Sequence, residues 1–270
     1  MKKYLLAAGS LVFTALSLQA QQKQGAITYD RTSKLQFSFQ GMPGGMEQQM
    51  PTTRTDKFEL TFGNNQSLWK AAEQENDETS DVRGGEGGGM HVRMVVSGSN
   101  DVLYTNFETS KKVEKRELFE KTFVIDDTIN KLKWKITGET KTILGQPCMK
   151  ATSNRIITRT MTNMDNGKIE RKEIEDTSNI VAWFTSSIPV SAGPAEYQGQ
   201  LPGLILEMDI KDGTQTFKAT AISEKADLAI IKEPTGKKRY TAAEFKKERD
   251  KMMKEMEQNN QGGQRIIRMN

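Results

Sequence analysis

The sequence predicts a mainly β protein, built on an antiparallel sheet with one α-helix near the C-terminus. Apolar and polar residues alternate with a period of two over many short segments, which is typical of half-buried antiparallel strands. Residues with the chemistry of tight turns separate several of these segments. One segment with helical periodicity follows the last strand. These three observations together predict the fold class.

The strands are predicted, in chain order, from the alternating runs. The clearest runs are Leu35, Phe37, Phe39; Phe58, Leu60, Phe62; Leu132, Trp134, Ile136; Leu204, Leu206, Met208, Ile210; and Phe217, Ala219, Ala221. Further β-rich runs lie at residues 25–30, 92–96, 101–105, 112–125, 155–163, 169–174 and 180–185. The turn sequences at residues 165–167 and 211–213 tolerate positive φ and therefore predict hairpins. Short hairpins imply strands that pair with their neighbours in sequence.

The stretch "QGQLPGLILEMDI", residues 198–210, combines a turn with a strand. Pro202 followed by Gly203 predicts a type II turn over residues 201–204. The alternation then places Leu204, Leu206, Met208 and Ile210 on one face of the strand, and Ile205, Glu207 and Asp209 on the other. The two carboxylates, two positions apart, are close enough to share a cation or a basic partner, or they belong to a solvated strand face.

The C-terminal helix is predicted over residues 236–258. Thr241 and Glu244 form a capping box, and Phe245, Met252 and Met256 share one face that is expected to pack against the sheet or over its open end. Residues 259–270 are predicted to be a disordered tail. Insertions rich in glycine, glutamine and charge, at about 40–53 and 72–90, are predicted to be mobile loops within a single β domain spanning residues 21–235.

The N-terminus predicts export. Lys2 and Lys3 precede an apolar run, and a Leu-Gln-Ala sequence ends at Ala20, so residues 1–20 are expected to be a signal peptide cleaved near Ala20. The mature protein is then periplasmic or secreted. No later segment has the roughly 20 apolar residues of a membrane span, which argues against an integral membrane protein. Loss of the two lysines lowers the net charge from +4 to +2, which argues against a nucleic-acid partner.

The sequence offers few groups for nucleophilic catalysis. His91 is the single histidine and lies in a glycine-rich segment, so a Ser-His-Asp or Cys-His mechanism is not expected. Cys148 is the single cysteine, and therefore forms no internal disulfide. It is expected to be a small buried hydrophobic residue, with pairing to another chain or soft-metal binding as the alternatives.

The methionines suggest a second kind of chemistry. They recur every four residues in the first insertion, and with the histidine they cluster in and just after the second. The residues are Met42, Met46, Met50, Met90, His91 and Met94. Thioethers with one imidazole suit Cu(I), and chance loop composition is the alternative. The tryptophans, Trp183 among them, are expected in the core rather than on a sugar-binding platform. The loop from Ser187 to Gly203 suits either a rigid ligand rim or an ordinary long connection.

Three stretches carry a family resemblance. "VAWFTSSIPVSAGPAEY" followed by "GQLPGLILEM" resembles the signature of the GLPGLI family of exported proteins, with Gln200 in place of the usual first glycine. "LKWKITGETKTILGQPCMKATS", residues 132–153, resembles the tryptophan and cysteine strands of that family, and "GAITYDR" its start. The resemblance covers most of residues 25–222 outside the insertions.

What the resemblance implies about function is limited. The family is largely uncharacterised and supplies no catalytic residues, although its members resemble, in gene context, components of outer-membrane TonB-dependent uptake systems. "TILGQPCMKA" also looks like a hairpin of lipoprotein-carrier sheets, which hold acyl chains in a concave face. This likeness implies a large, curved antiparallel sheet, an open half-barrel, rather than a flat sandwich.

The expected function is that of a non-enzymatic periplasmic binding or adaptor protein for an outer-membrane uptake or envelope system. The expected partner is a TonB-dependent transporter or a hydrophobic or peptide ligand, and no cofactor is expected. The candidate binding residues are Trp183, Tyr197, Pro202, Gly203, Glu207 and Asp209. The alternative is a periplasmic Cu(I)-binding protein that uses the loop methionines and His91.

Overall fold

The structure, a computed structural model, describes residues 23–34, 53–72, 101–165 and 168–262, with side chains described outside 157–173 and 256–262. The predicted signal peptide, almost all of both insertions, the runs at 35–39 and 92–96, the tail beyond residue 262 and all six candidate copper ligands lie outside these residues. The described elements are β1 (Gly25–Lys34), β2 (Thr53–Gly63), β3 (Gln66–Ala71), β4 (Val102–Asn106), β5 (Lys111–Leu118), β6 (Lys121–Thr128), β7 (Lys135–Ile143), β8 (Gln146–Asp165), β9 (Lys168–Thr185), β10 (Leu204–Ile210), β11 (Gln215–Ser223), β12 (Arg239–Thr241) and α1 (Ala242–Gly262).

The strands form one open, 12-stranded sheet in the order β12-β6-β5-β4-β3-β2-β1-β11-β10-β9-β8-β7. All described pairings are antiparallel except that of β12 with β6. Sequence neighbours pair almost throughout, as the hairpin signals predict. The exceptions are β12, which pairs with β6, and β1, which pairs with β11 and so joins the two halves of the chain. The mainly β fold with one C-terminal helix is confirmed.

The sheet is strongly curved. β6 and β7 lie ten positions apart in the strand order, which in a flat sheet is about 48 Å at 4.8 Å per strand. Residues 129–134 nevertheless connect them, and a chain of that length spans at most about 25 Å. The rings of Trp69 on β3 and Phe217 on β11 lie 6.0 Å apart across two intervening strands. The face that carries these rings, called the inner face, is therefore concave.

The main core fills the inner face. Trp69 stacks on Phe58 with ring centroids 4.9 Å apart, and Tyr29 lies 5.4 Å from the same tryptophan. The fully buried aromatic and aliphatic side chains around them come from β1, β2, β9, β10 and β11, and include Ile27, Leu60, Ile180, Phe184, Met208 and Phe217. Burial of such side chains contributes about 1.5–3 kcal/mol each, so this cluster is the principal source of stability.

A smaller cluster lies on the outer, convex face. Leu68, Tyr104, Val113 and Val124 pack there against Ile230 and Ile231, which belong to the segment that crosses the sheet from β11 to β12. The helix α1 packs on the opposite face of the same edge, where Phe245 lies 5.2 Å from Phe123 of β6. Both faces of the β4–β6 edge are thereby covered.

The helix begins later than predicted. Residues 239–241 form β12 instead of its first turn, and Thr241 caps a helix that starts at Ala242. The capping box is present, since Thr241 N donates to Glu244 Oε2 at 2.8 Å and Glu244 N donates to Thr241 Oγ1 at 3.2 Å. The helix continues to Gly262, so residues 259–262 are helical rather than disordered.

Two predicted strands were wrong in detail. The run at 112–125 is a hairpin, because Phe119 and Glu120 adopt φ values of 49° and 62° and form a two-residue turn without any glycine or asparagine. The run Leu132-Trp134-Ile136 is mostly a connection, since β7 begins only at Lys135. Leu132 and Trp134 pack against the core from this connection, whereas Ile136 is half exposed.

Candidate functional site

The segment between β9 and β10, residues 186–203, folds back over the inner face and is called the inner loop. Ile205 N donates to Ala192 O at 3.0 Å, which holds the loop beside the strand that follows it. Gln198 is buried and its side-chain oxygen accepts a hydrogen bond from Ser67 of β3. The loop therefore reaches from β10 across the concave side to β3, and it is part of the core.

The inner loop also holds the connection between β6 and β7. Gln200 Oε1 accepts hydrogen bonds from Leu132 N at 2.9 Å and Trp134 Nε1 at 3.2 Å, and its amide donates to Asn130 O at 3.0 Å. Gly199 has a φ of 73°, and a Cβ there would lie 2.8 Å from Ile129. Gln200, at the position where the GLPGLI signature usually has glycine, thus links two crossing segments.

The Leu-Pro-Gly turn differs from the prediction. Gly203 N donates to Leu201 O at 2.9 Å, which makes a three-residue turn centred on Pro202, and Gly203 does not have the positive φ of a type II turn. Gly203 is required for another reason, because a Cβ there would lie 2.2 Å from Thr185 O. Pro202 is exposed and Gly203 is buried. The turn therefore brings the backbone of Gly203 close to the backbone of Thr185.

The predicted faces of β10 are also corrected. The register with β9 shifts between Ile205 and Glu207, so Leu206 is a bulge residue. Ile205 lies opposite Phe184 and therefore shares the inner face with Met208. The predicted alternation of faces fails here because the extra residue of the bulge reverses which face the following residues occupy. Tyr29 Oη donates to Ile205 O at 2.6 Å, and so satisfies a carbonyl at the bulge.

Trp183 and Glu207 meet on the outer face. They are directly opposite each other on β9 and β10. Lys141 Nζ lies 4.3 Å from the centre of the Trp183 ring and 2.8 Å from Glu207 Oε2, and Lys150 Nζ lies 5.9 Å from the ring. Asp209 is separate, because its Oδ1 accepts from Gly213 N at 2.6 Å and closes the β10–β11 turn. The two carboxylates therefore have different partners.

An open cleft of about 300 Å³ lies on the inner face at the end of β1, β10 and β11, beside the inner loop. Tyr197 and Glu196 of the inner loop line it, together with Ser178 of β9 and Ile210 of β10. Tyr197 is the one predicted binding residue that lines this cleft. The other five predicted residues lie elsewhere, so the structure does not bring the six together.

The cleft is rich in positive charge. Lys34, Arg155 and Lys211 all line it, and Arg155 Nη1 lies 3.3 Å from Glu196 Oε1. Lys211 pairs with Asp176 of β9, and its backbone N–H donates to Asn179 O at 2.8 Å. Sequence reasoning missed these cations because they are distant along the chain, and no local pattern sets them apart from surface residues.

Tyr197 and Cys148 are both unsuited to ionise near neutral pH. Burial raises the pKa of Tyr197 to about 12, with a further contribution from the charge of Glu196 that Arg155 partly offsets. Burial also raises the pKa of the Cys148 thiol, which donates to Gln146 O at 3.4 Å. Both groups remain protonated, and Cys148 is a buried residue of the core as expected.

The described residues contain neither a cluster of metal-ligating side chains nor a membrane-spanning helix. No group of three or more histidine, cysteine, aspartate or glutamate side chains is arranged to hold a metal ion among them. In the same part of the chain, no helix has the length and apolarity needed to cross a membrane.

Strands β8 and β9 extend beyond the rest of the sheet as a two-stranded ribbon. β10 pairs with β9 only as far as Ile180, and β7 pairs with β8 only as far as Thr152. From Ser178 back to Lys168, β9 therefore has β8 as its one strand partner in the described part of the chain. Ser178 lines the cleft, so this strand edge begins at the cleft.

Comparison with known proteins gives a family match over part of the chain. A family model described as "Protein of unknown function (Porph_ging)" matches residues 134–207. These residues run from Trp134 to Glu207 and contain the whole inner loop. No curated protein matches the chain.

Two solved structures resemble the fold. Both are of PNGF-II, one in the P21 and one in the C2 space group, and each is 17% identical to this chain. The TM-scores are 0.49 and 0.47, with 83% and 81% of this chain covered. The chain spans only 32% and 30% of the PNGF-II chains. At this identity and these scores, no activity is transferred.

Proposed function

We propose that the protein is a non-enzymatic binding or adaptor protein of the periplasm, a GLPGLI-family member that serves an outer-membrane, TonB-dependent-type uptake or envelope system. The observation that carries the binding function is the open, positively charged cleft at the border of the filled inner face. The predicted signal peptide supports the location, and the resemblance in gene context supports the link to uptake.

The filled inner face favours a small polar or peptide ligand over an acyl chain. In a carrier of acyl chains, the concave face must leave room for them. Here Trp69, Phe217 and the inner loop occupy that space in the described core. The cleft instead combines hydroxyl, amide and charged groups with a comparable share of apolar surface, which suits a ligand that hydrogen bonds and charge hold in place.

The chemistry of the described side chains supports binding rather than catalysis. The buried Cys148 thiol, whose pKa is raised, lacks the thiolate character of a nucleophile. In the cleft, Arg155 pairs with Glu196 and Lys211 pairs with Asp176. Charged side chains in such pairs suit the electrostatic recognition of a ligand.

Native mass spectrometry of the mature protein, purified gently from the periplasm, tests this function. We expect an organic or peptide adduct on the intact protein that is lost in Arg155→Gln, in the cleft, and kept in Lys218→Gln, an exposed lysine outside it. An adduct present equally in all three proteins would contradict binding in the cleft. A bare chain in every case would contradict ligand binding and leave the protein-adaptor function.

The same spectra test the copper alternative. A copper adduct that a Cu(I) chelator removes would support binding by the methionine and histidine side chains of the insertions, Met42, Met46, Met50, Met90, His91 and Met94.

A further inference from the structure

The cleft has a surplus of positive charge. Arg155 and Lys211 each lie beside a carboxylate, Glu196 and Asp176 respectively. Lys34 Nζ instead contacts a backbone carbonyl, that of Asp212, at 3.4 Å, and within the described residues it forms no ion pair. The three cations come from β1, β8 and the β10–β11 turn, and only two carboxylates of the described residues pair with them. The remaining positive charge favours binding of one further anion.

Glu196 marks a position beside Arg155 that a carboxylate can occupy. Its carboxylate reaches Arg155 from the inner loop, and the two side chains are 49% and 44% exposed. Ion pairs with this exposure contribute little to stability, so an incoming carboxylate can take the place of Glu196 at small cost. Arg155 offers the planar donor geometry that suits carboxylates.

The strand edge at the cleft favours a peptide as the source of the carboxylate. From Ser178 back to Lys168, the edge of β9 opposite β8 has no second strand in the described part of the chain, so an extended peptide can pair with β9 there. The volume of about 300 Å³ is at the low end for ligand sites, which fits the last residues of a chain rather than a large ligand.

We infer that the cleft binds the C-terminal carboxylate of an extended peptide, with Arg155 and Lys34 as the cationic partners and Glu196 as an internal competitor. This inference rests on the proposed binding function and specifies its ligand class.

The test is a ¹H–¹⁵N NMR titration of the mature protein with two pools of N-acetylated random pentapeptides, one with a free C-terminal carboxylate and one amidated. We expect the acid pool to shift the amides of Ser178 and Lys211, and the amidated pool to bind about tenfold more weakly, because a charge-assisted hydrogen bond is lost. The spectrum of each variant shows at the same time whether it is folded.

Substitutions of the cations and of Glu196 are expected to change the affinity for the acid pool in opposite directions. Arg155→Gln and Lys34→Gln each weaken binding of the acid pool by about tenfold, whereas Glu196→Gln strengthens it several-fold because the competitor is removed. Lys218→Gln, on the neighbouring strand β11, leaves the affinity unchanged.

Three results would overturn the inference. Equal affinity for the acid and amidated pools would show that the carboxylate is not recognised. Succinate binding as tightly as the acid pool would assign the site to a small organic acid. Absence of binding by both pools would exclude peptides, and the adduct measurement above would then decide separately whether the cleft binds anything else.

Discussion

Replacement of Gly203 by alanine tests the structural explanation of the Leu-Pro-Gly turn. A Cβ at this position lies 2.2 Å from Thr185 O and 2.8 Å from Thr185 C. An unstrained carbon–oxygen contact is about 3.3 Å, so the turn must move by about 1 Å away from β9. The obstacle is backbone within a paired strand, which a rotamer change cannot remove. The expected result is a clear loss of stability.

The magnitude follows from three contributions. Overpacking costs about 1–3 kcal/mol. The shift also weakens the hydrogen bonds Gly203 N to Leu201 O, 2.9 Å, and Leu204 N to Ile188 O, 3.2 Å, and each is worth about 1 kcal/mol. Alanine lowers the conformational entropy of the unfolded chain, which offsets about 0.4–1 kcal/mol of this loss of stability. The free energy of unfolding should fall by about 3 kcal/mol, which lowers Tm by roughly 6–12 °C.

Urea unfolding followed by tryptophan fluorescence measures the change, with Gly63→Ala as the matched control. A Cβ on Gly63 meets the end of the Leu228 side chain at 2.6 Å, and this half-buried side chain can rotate away. The control should therefore change the free energy of unfolding by less than about 1 kcal/mol. If Gly203→Ala costs no more than Gly63→Ala, the assigned role of the glycine is wrong.

Two further substitutions test the core. Tyr29→Phe removes the donor to Ile205 O and leaves a buried carbonyl without that partner, so the free energy of unfolding should fall by about 1–3 kcal/mol with an unchanged urea m-value; a neutral effect would contradict the bond. Because burial raises the pKa of Cys148, the folded state keeps the thiol protonated while the unfolded thiol ionises near pH 8.5, so stability should decline as pH rises above about 8.5. Cys148→Ala should remove that part of the decline, and an identical pH profile for both proteins would refute it.

Local sequence signals predicted the elements well. The capping box at Thr241 and Glu244, the turn at residues 211–213 and most strands follow from side-chain chemistry within a few residues. The failures occurred where backbone geometry overrode that chemistry. The bulge at Leu206 shifted the alternation, and Phe119-Glu120 formed a turn whose residue types give no turn signal.

The candidate site was harder to predict because long-range pairing creates it. β1 meets β11 although nearly the whole domain separates them in sequence, and this pairing brings Lys34 beside Lys211 and Thr214. Arg155 reaches the same place only because β8 and β9 extend past β10. Periodicity describes which face a residue occupies, but it does not describe which distant strand lies next to it.

The signature segment and the cleft have different roles in this fold. Leu201 is buried, Gly203 permits contact with Thr185, and Ile205 accepts the Tyr29 hydrogen bond, so residues 201–205 hold the inner loop in the core. The cations of the cleft lie outside that segment, on β1, β8 and the β10–β11 turn. If the cleft binds a ligand as proposed, substitutions at Lys34 and Arg155 can change that ligand and leave residues 201–205 as they are. In the proposed function, residues 201–205 hold the scaffold and the charges around the cleft select the ligand.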